Sequence, residues 1–195
     1  QPNKGATNEV NFSAWPGGSR CNDGRFYYMG EQCFWWTSTS SEINGSAKFR
    51  SLYHDGTDVT KNSCNKFYGL SVRCVKGELP SNSTPLKDNS KLHKDVIPKT
   101  IKDIDGNVYH TAVIGNQVWM VENLKTTRYN DGTSIANVTD DLEWSRLSSG
   151  AYCWYNNNAA RQNTSYGALY NWYAVKSDKL APKGWHVPSD SEWVT

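Results

Sequence analysis

Five cysteines, four histidines and a scatter of carboxylates are the residues of this 195-residue sequence that could carry out chemistry. Cys21, Cys33, Cys64, Cys74 and Cys153 lie far apart, and no C-x-x-C pair offers zinc ligation or dithiol exchange. Their number fits one or two disulfides with an odd thiol left over, since cross-links commonly hold domains that are poor in aliphatic residues. His54, His93, His110 and His186 are scattered without an H-E-x-x-H string, and neither a G-x-S-x-G elbow nor a phosphate-cradling glycine loop occurs. His186, close to Trp185 and Pro188, reads as a packed structural histidine. Asp103, Asp105, Asn107 and Tyr109 set oxygens at alternate positions, as a calcium loop begins. Gly106 is misplaced for that loop, however, and no bidentate Glu closes it, so a plain hairpin explains the string better. Asp140 and Asp141 read as loop carboxylates facing water. No active site, metal site or cofactor site emerges, and the chain reads as non-enzymatic.

The remaining chemistry is that of a surface. Tyr27, Tyr28, Arg50, Tyr53, Asp55, Asp58, Asn62 and Asn65 sit on or beside expected strands and turns. Tyr, Asn and Arg are residues of binding surfaces, because they combine rigid area with adaptable hydrogen bonding. Phe34, Trp35, Trp36 and His54 share the region. For Trp35 and Trp36 the better reading is that they fill the core; for Tyr27, Tyr28 and Asn62 it is ligand contact.

Composition bounds what can position these residues. Roughly one residue in six is Leu, Ile, Val or Phe, a fraction low enough to raise the question of disorder. A net charge of only +2, with 9 Trp and 11 Tyr, argues for a folded chain instead. Its core should be built from indole and phenol rings, each wanting a polar partner. Basic and acidic residues, 21 and 19, are interspersed, so the basic stripe of a nucleic-acid binder is missing. No apolar run approaches the roughly 18 residues of a membrane span. No signal peptide opens the sequence, which leaves a mature product, an internal segment or a cytoplasmic protein open.

Asp-Gly pairs at 23–24, 55–56, 105–106 and 131–132 mark hairpins. Between them, strands are expected over 33–37, 48–53, 58–61, 70–75, 108–114 and 117–121, several alternating apolar and polar residues. Residues 77–97 carry two prolines, several Ser and Asn and no aromatic, which is linker composition. They divide the chain into 1–76, wholly β and loop, and 98–195, which is mixed. Tyr166, Leu169, Tyr170, Tyr173 and Ala174 follow a helical stripe, which predicts a helix over 165–177 with Ser165 as N-cap. Ser189 and Glu192 have capping-box spacing for a second helix, which the end of the sequence at Thr195 would cut short.

The segments Asp103–Tyr109 (DIDGNVY), Ile114–Leu124 (IGNQVWMVENL), Tyr129–Thr133 (YNDGT), Gly150–Asn157 (GAYCWYNN), Tyr166–Val175 (YGALYNWYAV) and Gly184–Trp193 (GWHVPSDSEW) resemble the N-terminal part of one family. That family is the Fibrobacter succinogenes major paralogous domain, common in secreted Bacteroidetes and Fibrobacter proteins. Gly5–Gly18 (GATNEVNFSAWPGG), Trp35–Thr39 (WWTST) and Gly69–Lys76 (GLSVRCVK) resemble its C-terminal part. The order is therefore inverted, with residues 1–76 as the C-terminal half and 98–195 as the N-terminal half, and the middle of the family pattern is missing. A permutation, or a segment spanning two tandem copies, would produce this.

The resemblance implies an α+β, C-type-lectin-like fold, mostly antiparallel with one or two helices, circularly permuted or assembled from two half-domains. It is distantly similar to formylglycine-generating enzymes, but the cysteine after Gly17–Cys21 (GGSRC) is Cys33, too far along for their reactive pair. The Glu-Pro-Asn and Gln-Pro-Asp strings with which C-type lectins grip sugars through calcium are absent. Cys74 and Cys153 lie in the matching strings, and the resemblance implies that they pair; one pair among Cys21, Cys33 and Cys64, Cys33 with Cys64 for choice, would be a second disulfide. The 70–75 strand is expected to close on the first strand of the trailing half, around 100–114. The function that this resemblance and the surface residues imply is an extracellular or cell-surface bacterial binding or adhesion module for a protein or glycan ligand. The alternative is a structural repeat of a fibre or tandem array, in which neighbouring copies complete one another's halves.

Overall fold

The structure, a computed structural model, describes residues 8, 11–56, 58–76, 98–158, 160 and 165–194. The 77–97 linker and most of residues 1–10 lie outside the described residues. The chain is mostly antiparallel β-sheet with two short helices. Strands β1 (Ser19–Arg20) and β2 (Phe26–Tyr27) form a small hairpin. Strands β3 (Gln32–Ser40), β4 (Ser46–Tyr53) and β5 (Thr60–Asn65) form an antiparallel three-stranded sheet. Each of the strands expected over 33–37, 48–53 and 58–61 is present with shifted ends.

Strand β6 (Val75–Lys76) leaves this half and enters the sheet of the other. There the order is β13 (Trp185–His186), β6, β9 (Gln117–Met120), β8 (Val108–Ile114), β7 (Thr100–Lys102). Val75 pairs with Trp119, and the Met120 and Leu124 amides donate to the Cys74 and Val72 carbonyls. The two halves thus close on each other within one chain. The partner of the 70–76 segment is β9 rather than β7 or β8, because β7 and β8 pair as an outer hairpin and β9 supplies the inner edge.

The stretch expected as one long helix is divided. Strand β12 (Leu169–Tyr170) pairs with β11 (Ala151–Cys153), which is parallel to β10 (Ala136–Asn137). Helix α2 spans only Trp172–Val175, capped by Asn171, whose side chain accepts the Ala174 amide. The reason is Gly167, held at φ 72° where a Cβ would lie 2.6 Å from the Leu124 carbonyl oxygen. That left-handed residue ends any helix through it, and the apolar stripe is buried by strand pairing instead. At the other site Ser189 and Glu192 do make a reciprocal capping box: Glu192 Oε2 accepts the Ser189 amide at 2.7 Å, and Ser189 Oγ accepts the Glu192 amide at 3.4 Å. It opens a 3-10 turn, Ser191–Trp193. Helix α1 (Asp141–Ser145) corrects the reading of Asp140 and Asp141 as idle loop carboxylates: Asp140 Oδ1 caps the Glu143 amide at 2.7 Å, and Asp141 pairs with Arg20.

The core is aromatic, as composition implied, and its polar handles join the halves. Trp36 Nε1 donates to the Tyr170 carbonyl at 2.8 Å, Trp172 Nε1 to that of Thr37 at 3.0 Å, and Trp35 Nε1 to Asn123 Oδ1 at 2.9 Å. Each of these bonds runs between the 1–76 half and the 98–195 half. Tyr109 donates to Asp103 and Tyr170 to the Thr126 carbonyl. A buried indole or phenol left without such a partner would cost about 1–3 kcal/mol. A second, smaller core gathers Val138, Trp144, Ala151, Cys153 and Leu169 under the β1–β2 hairpin.

All five cysteines are free thiols. Neither expected disulfide is formed, and the topology says why. Cys74 is buried in the main core, whereas Cys153 is buried in the second. Cys33 lies opposite Leu52 on β4, whereas Cys64 lies opposite Ala47, five residues along and on the far strand of the sheet.

Candidate functional site

Alternation along β3–β4–β5 divides the candidate ligand residues between two faces. Phe34, Trp36, Phe49, Tyr53 and Asn62 fall on one face and Trp35, Lys48, Arg50 and Lys61 on the other. Tyr27 and Tyr28, just before β3, join the first. Their rings continue those of the sheet: centroids are 5.9 Å apart for Tyr27–Tyr28, 6.1 Å for Tyr28–Phe34, 5.9 Å for Phe34–Phe49 and 6.4 Å for Phe49–Trp36. The ladder runs from solvent, where Tyr28 is 46% exposed, to Trp36 at 0%. Tyr53 is 40% exposed at the same end of the sheet, where its strand partner Gln32 donates its amide to the Tyr28 carbonyl.

The backbone here is unusual. Tyr28 has φ 66°, a left-handed conformation that bulky side chains rarely adopt. It is held by two amides, Glu31 and Gln32, donating to its carbonyl. Gly18, itself at φ 66°, lets the chain pass against this segment, for any side chain there would meet the Tyr27 carbonyl and the Met29 amide. Strain of about 1–3 kcal/mol kept at an exposed aromatic points from geometry to function. The Tyr27 hydroxyl donates to Asp23 Oδ2 at 3.0 Å, and this bond raises the phenol above its ordinary value.

The other candidates divide. Asn62 is exposed opposite Phe49, its Oδ1 accepting the Ser63 amide at 2.9 Å. Asp55 and Asp58 are exposed between β4 and β5. Asn65 lies at the far end of the sheet opposite Ser46, and its Oδ1 accepts the Phe67 amide, so it is not brought to the patch. Arg50 is a correction: it is buried on the opposite face, paired with Asp190 at 2.7 Å alongside Lys61. Position on a strand suggested a surface; face and partner decided otherwise. Trp35 and Trp36 are both wholly buried, as core residues.

Two buried arginines were not foreseen from the sequence. Arg20 donates to the carbonyls of Gly24, Val138 and Thr139 and to Asp141 Oδ1, with Phe26 and Trp144 against its guanidinium. Arg73 donates to Asn123 Oδ1 at 2.9 Å and to the Phe12 and Ser13 carbonyls, beside the rings of Phe12 and Trp35. Burial pulls its guanidinium below the ordinary 12.5, yet it stays charged near neutral pH. A signal was there: an arginine inside the apolar run Leu70–Val75.

Thiol chemistry is unfavourable at Cys33 and Cys153. Burial pushes the Cys33 thiol, and that of Cys153, up to about 12, far from a nucleophilic thiolate at neutral pH. Asp103 is fully engaged within its hairpin, accepting from the Asp105 and Asn107 amides, Asn107 Nδ2 and Tyr109. Among the described residues no group of three His, Cys, Asp or Glu could hold a metal, and no helix is long and apolar enough to cross a membrane.

The family model described as the Fibrobacter succinogenes major domain matches residues 1–76 and 113–195. No curated protein and no solved structure matches the chain.

Proposed function

The chain belongs to the Fibrobacter succinogenes major domain family, and from that premise we propose that it is a non-catalytic binding or adhesion module of the bacterial surface or exterior. Its fold we read as lectin-like with the halves permuted. The ligand, a glycan or a protein, lies against Tyr27, Tyr28 and Tyr53, with Asn62, Asp55 and Asp58 at the margin. The observation that carries this reading is Tyr28: an exposed ring on left-handed backbone, braced by a ladder of rings into the core. An aromatic so placed offers flat apolar area at small entropic cost, since it is already ordered. Closure of the two halves within one chain supports a self-contained module over a fibre repeat.

The test is an array bearing glycans on one set of spots and bacterial-surface and matrix proteins on another, probed with the full chain and with Tyr28→Ala and Tyr53→Ala. Capture by the parent chain that falls at least tenfold in both variants supports the reading. Capture that survives both substitutions, or no capture on either set, overturns it.

A further inference from the structure

We propose that Cys21 and Cys64 are a thiol pair that closes to a disulfide, stapling the β1–β2 hairpin onto strand β5. The geometry carries this pairing independently of the binding reading. Arg20 and Gly69 exchange both backbone hydrogen bonds, at 2.9 and 2.8 Å, so the next residues of this antiparallel contact, Cys21 and Tyr68, face each other. Tyr68 is brought back beside the end of β5 by a turn, its amide donating to the Asn65 carbonyl at 3.0 Å. Cys64 immediately precedes that turn, and alternation puts it on the Phe49 face, where both it and Tyr68 pack against the main core. The Tyr68 hydroxyl also reaches Asn22 Oδ1, the residue after Cys21. Both thiols thus converge on one phenol: charge on either raises the Tyr68 hydroxyl, and charge on Cys21 is felt by Cys64. Cys33, Cys74 and Cys153 are buried elsewhere.

The chemistry is thiol–disulfide exchange with a small-molecule disulfide such as oxidised glutathione. The half-exposed Cys21, as thiolate, attacks one glutathione sulfur and displaces the other as glutathione thiolate. Cys64 then loses its proton and attacks the Cys21 sulfur, displacing the second glutathione. Two electrons pass to the oxidant, two protons leave the protein thiols, and one S–S bond replaces another. Burial raises both thiols above the ordinary 9.0, so closure is slow at neutral pH and accelerates as pH rises. The product would tie the hairpin carrying Tyr27 to the strand carrying Asn62.

The experiment incubates the full chain with oxidised glutathione, caps free thiols with N-ethylmaleimide and maps non-reduced peptides by mass spectrometry. The expected result is a linked pair of peptides containing Cys21 and Cys64, lighter by two hydrogens and at least tenfold more abundant than any other pair. In Cys64→Ala, a glutathione adduct accumulates on Cys21. Separate capping of Cys21 and Cys64 in the parent chain, or linkage of either to another cysteine, overturns the proposal. The parent map alone decides should the variant not fold.

Discussion

Two aromatic assemblies lie on opposite faces of the β3–β4–β5 sheet. On one, Trp35 meets Phe12 at a ring distance of 5.6 Å and Trp193 at 5.5 Å, and Trp119 meets Phe12 at 6.0 Å and Trp193 at 4.8 Å. Arg73 and Asn123 close this assembly with hydrogen bonds, and Asn123 Nδ2 also donates to the Tyr166 carbonyl at 2.9 Å. On the other face the ladder begins at the same depth, with Trp36, and ends in the exposed Tyr28 and the Asp23-bound Tyr27. The difference teaches where aromatic residues stop being structure. A ring whose polar partner is supplied by the protein from both halves is locked into the joint. A ring on strained backbone whose outer surface meets solvent is only half packed, and it is there that we place the ligand.

The sharpest way to break the comparison is Asn123→Leu. It removes the acceptor of Trp35 Nε1 and of the wholly buried Arg73 at once. Leaving a buried indole N–H and a buried guanidinium N–H each without this acceptor costs about 1–3 kcal/mol apiece, more at the charged group, and urea denaturation should show a loss of about 3–5 kcal/mol. A loss under about 1 kcal/mol would mean that Asn123 is not the joint.

Asp190→Asn comes next, at about 2 kcal/mol near neutral pH. The figure lies below that for a fully buried pair because Lys61 is half exposed. Burial raises the Asp190 carboxyl, but Lys61 and Arg50 outweigh burial and hold it below its ordinary 3.8. A carboxylate depressed on folding contributes stability that is complete above its ordinary value and lost as pH falls through the lower folded value. The stability curves of parent and variant, followed by urea titration from pH 7 downward, should therefore begin to approach near about pH 4 and meet only below the depressed folded value of Asp190. A gap that persists there would assign the effect to packing instead.

The smallest expected effect on stability sharpens the contrast most. Tyr28→Gly relieves the left-handed backbone while forfeiting ring contacts with Tyr27 and Phe34, and these terms offset to within about 0.5 kcal/mol. Thermal denaturation should barely move while array capture disappears. A destabilisation above about 2 kcal/mol would place Tyr28 with the structural rings of the opposite face.

Much of the scaffold was legible before folding. The alternation of 108–114 delivered β8 residue for residue, and capping-box spacing at Ser189 and Glu192 was realised in hydrogen bonds. The candidate site was legible in part. Tyr27, Tyr28 and Tyr53 lie at one end of the sheet and Asn62 is exposed farther along the same face, whereas Arg50 and Asn65 are drawn away by Asp190 and by their own strand end. Strand alternation says that two residues share a face, but not which face another element will cover.

By itself the amino-acid sequence determined the family, the aromatic character of the core and the need of each buried ring for a polar partner, because these depend on residue types and local spacing. Tertiary structure alone decided which ring found its partner. Gly167 turned a helical stripe into a strand because a carbonyl from a distant loop left no room for a side chain. Cys74 and Cys153 were separated because the chain builds two cores rather than one. Arg73 entered the interior because Asn123, 50 residues away, met it there. Each outcome depends on contacts between segments remote in sequence, whose register is set only when both halves have closed.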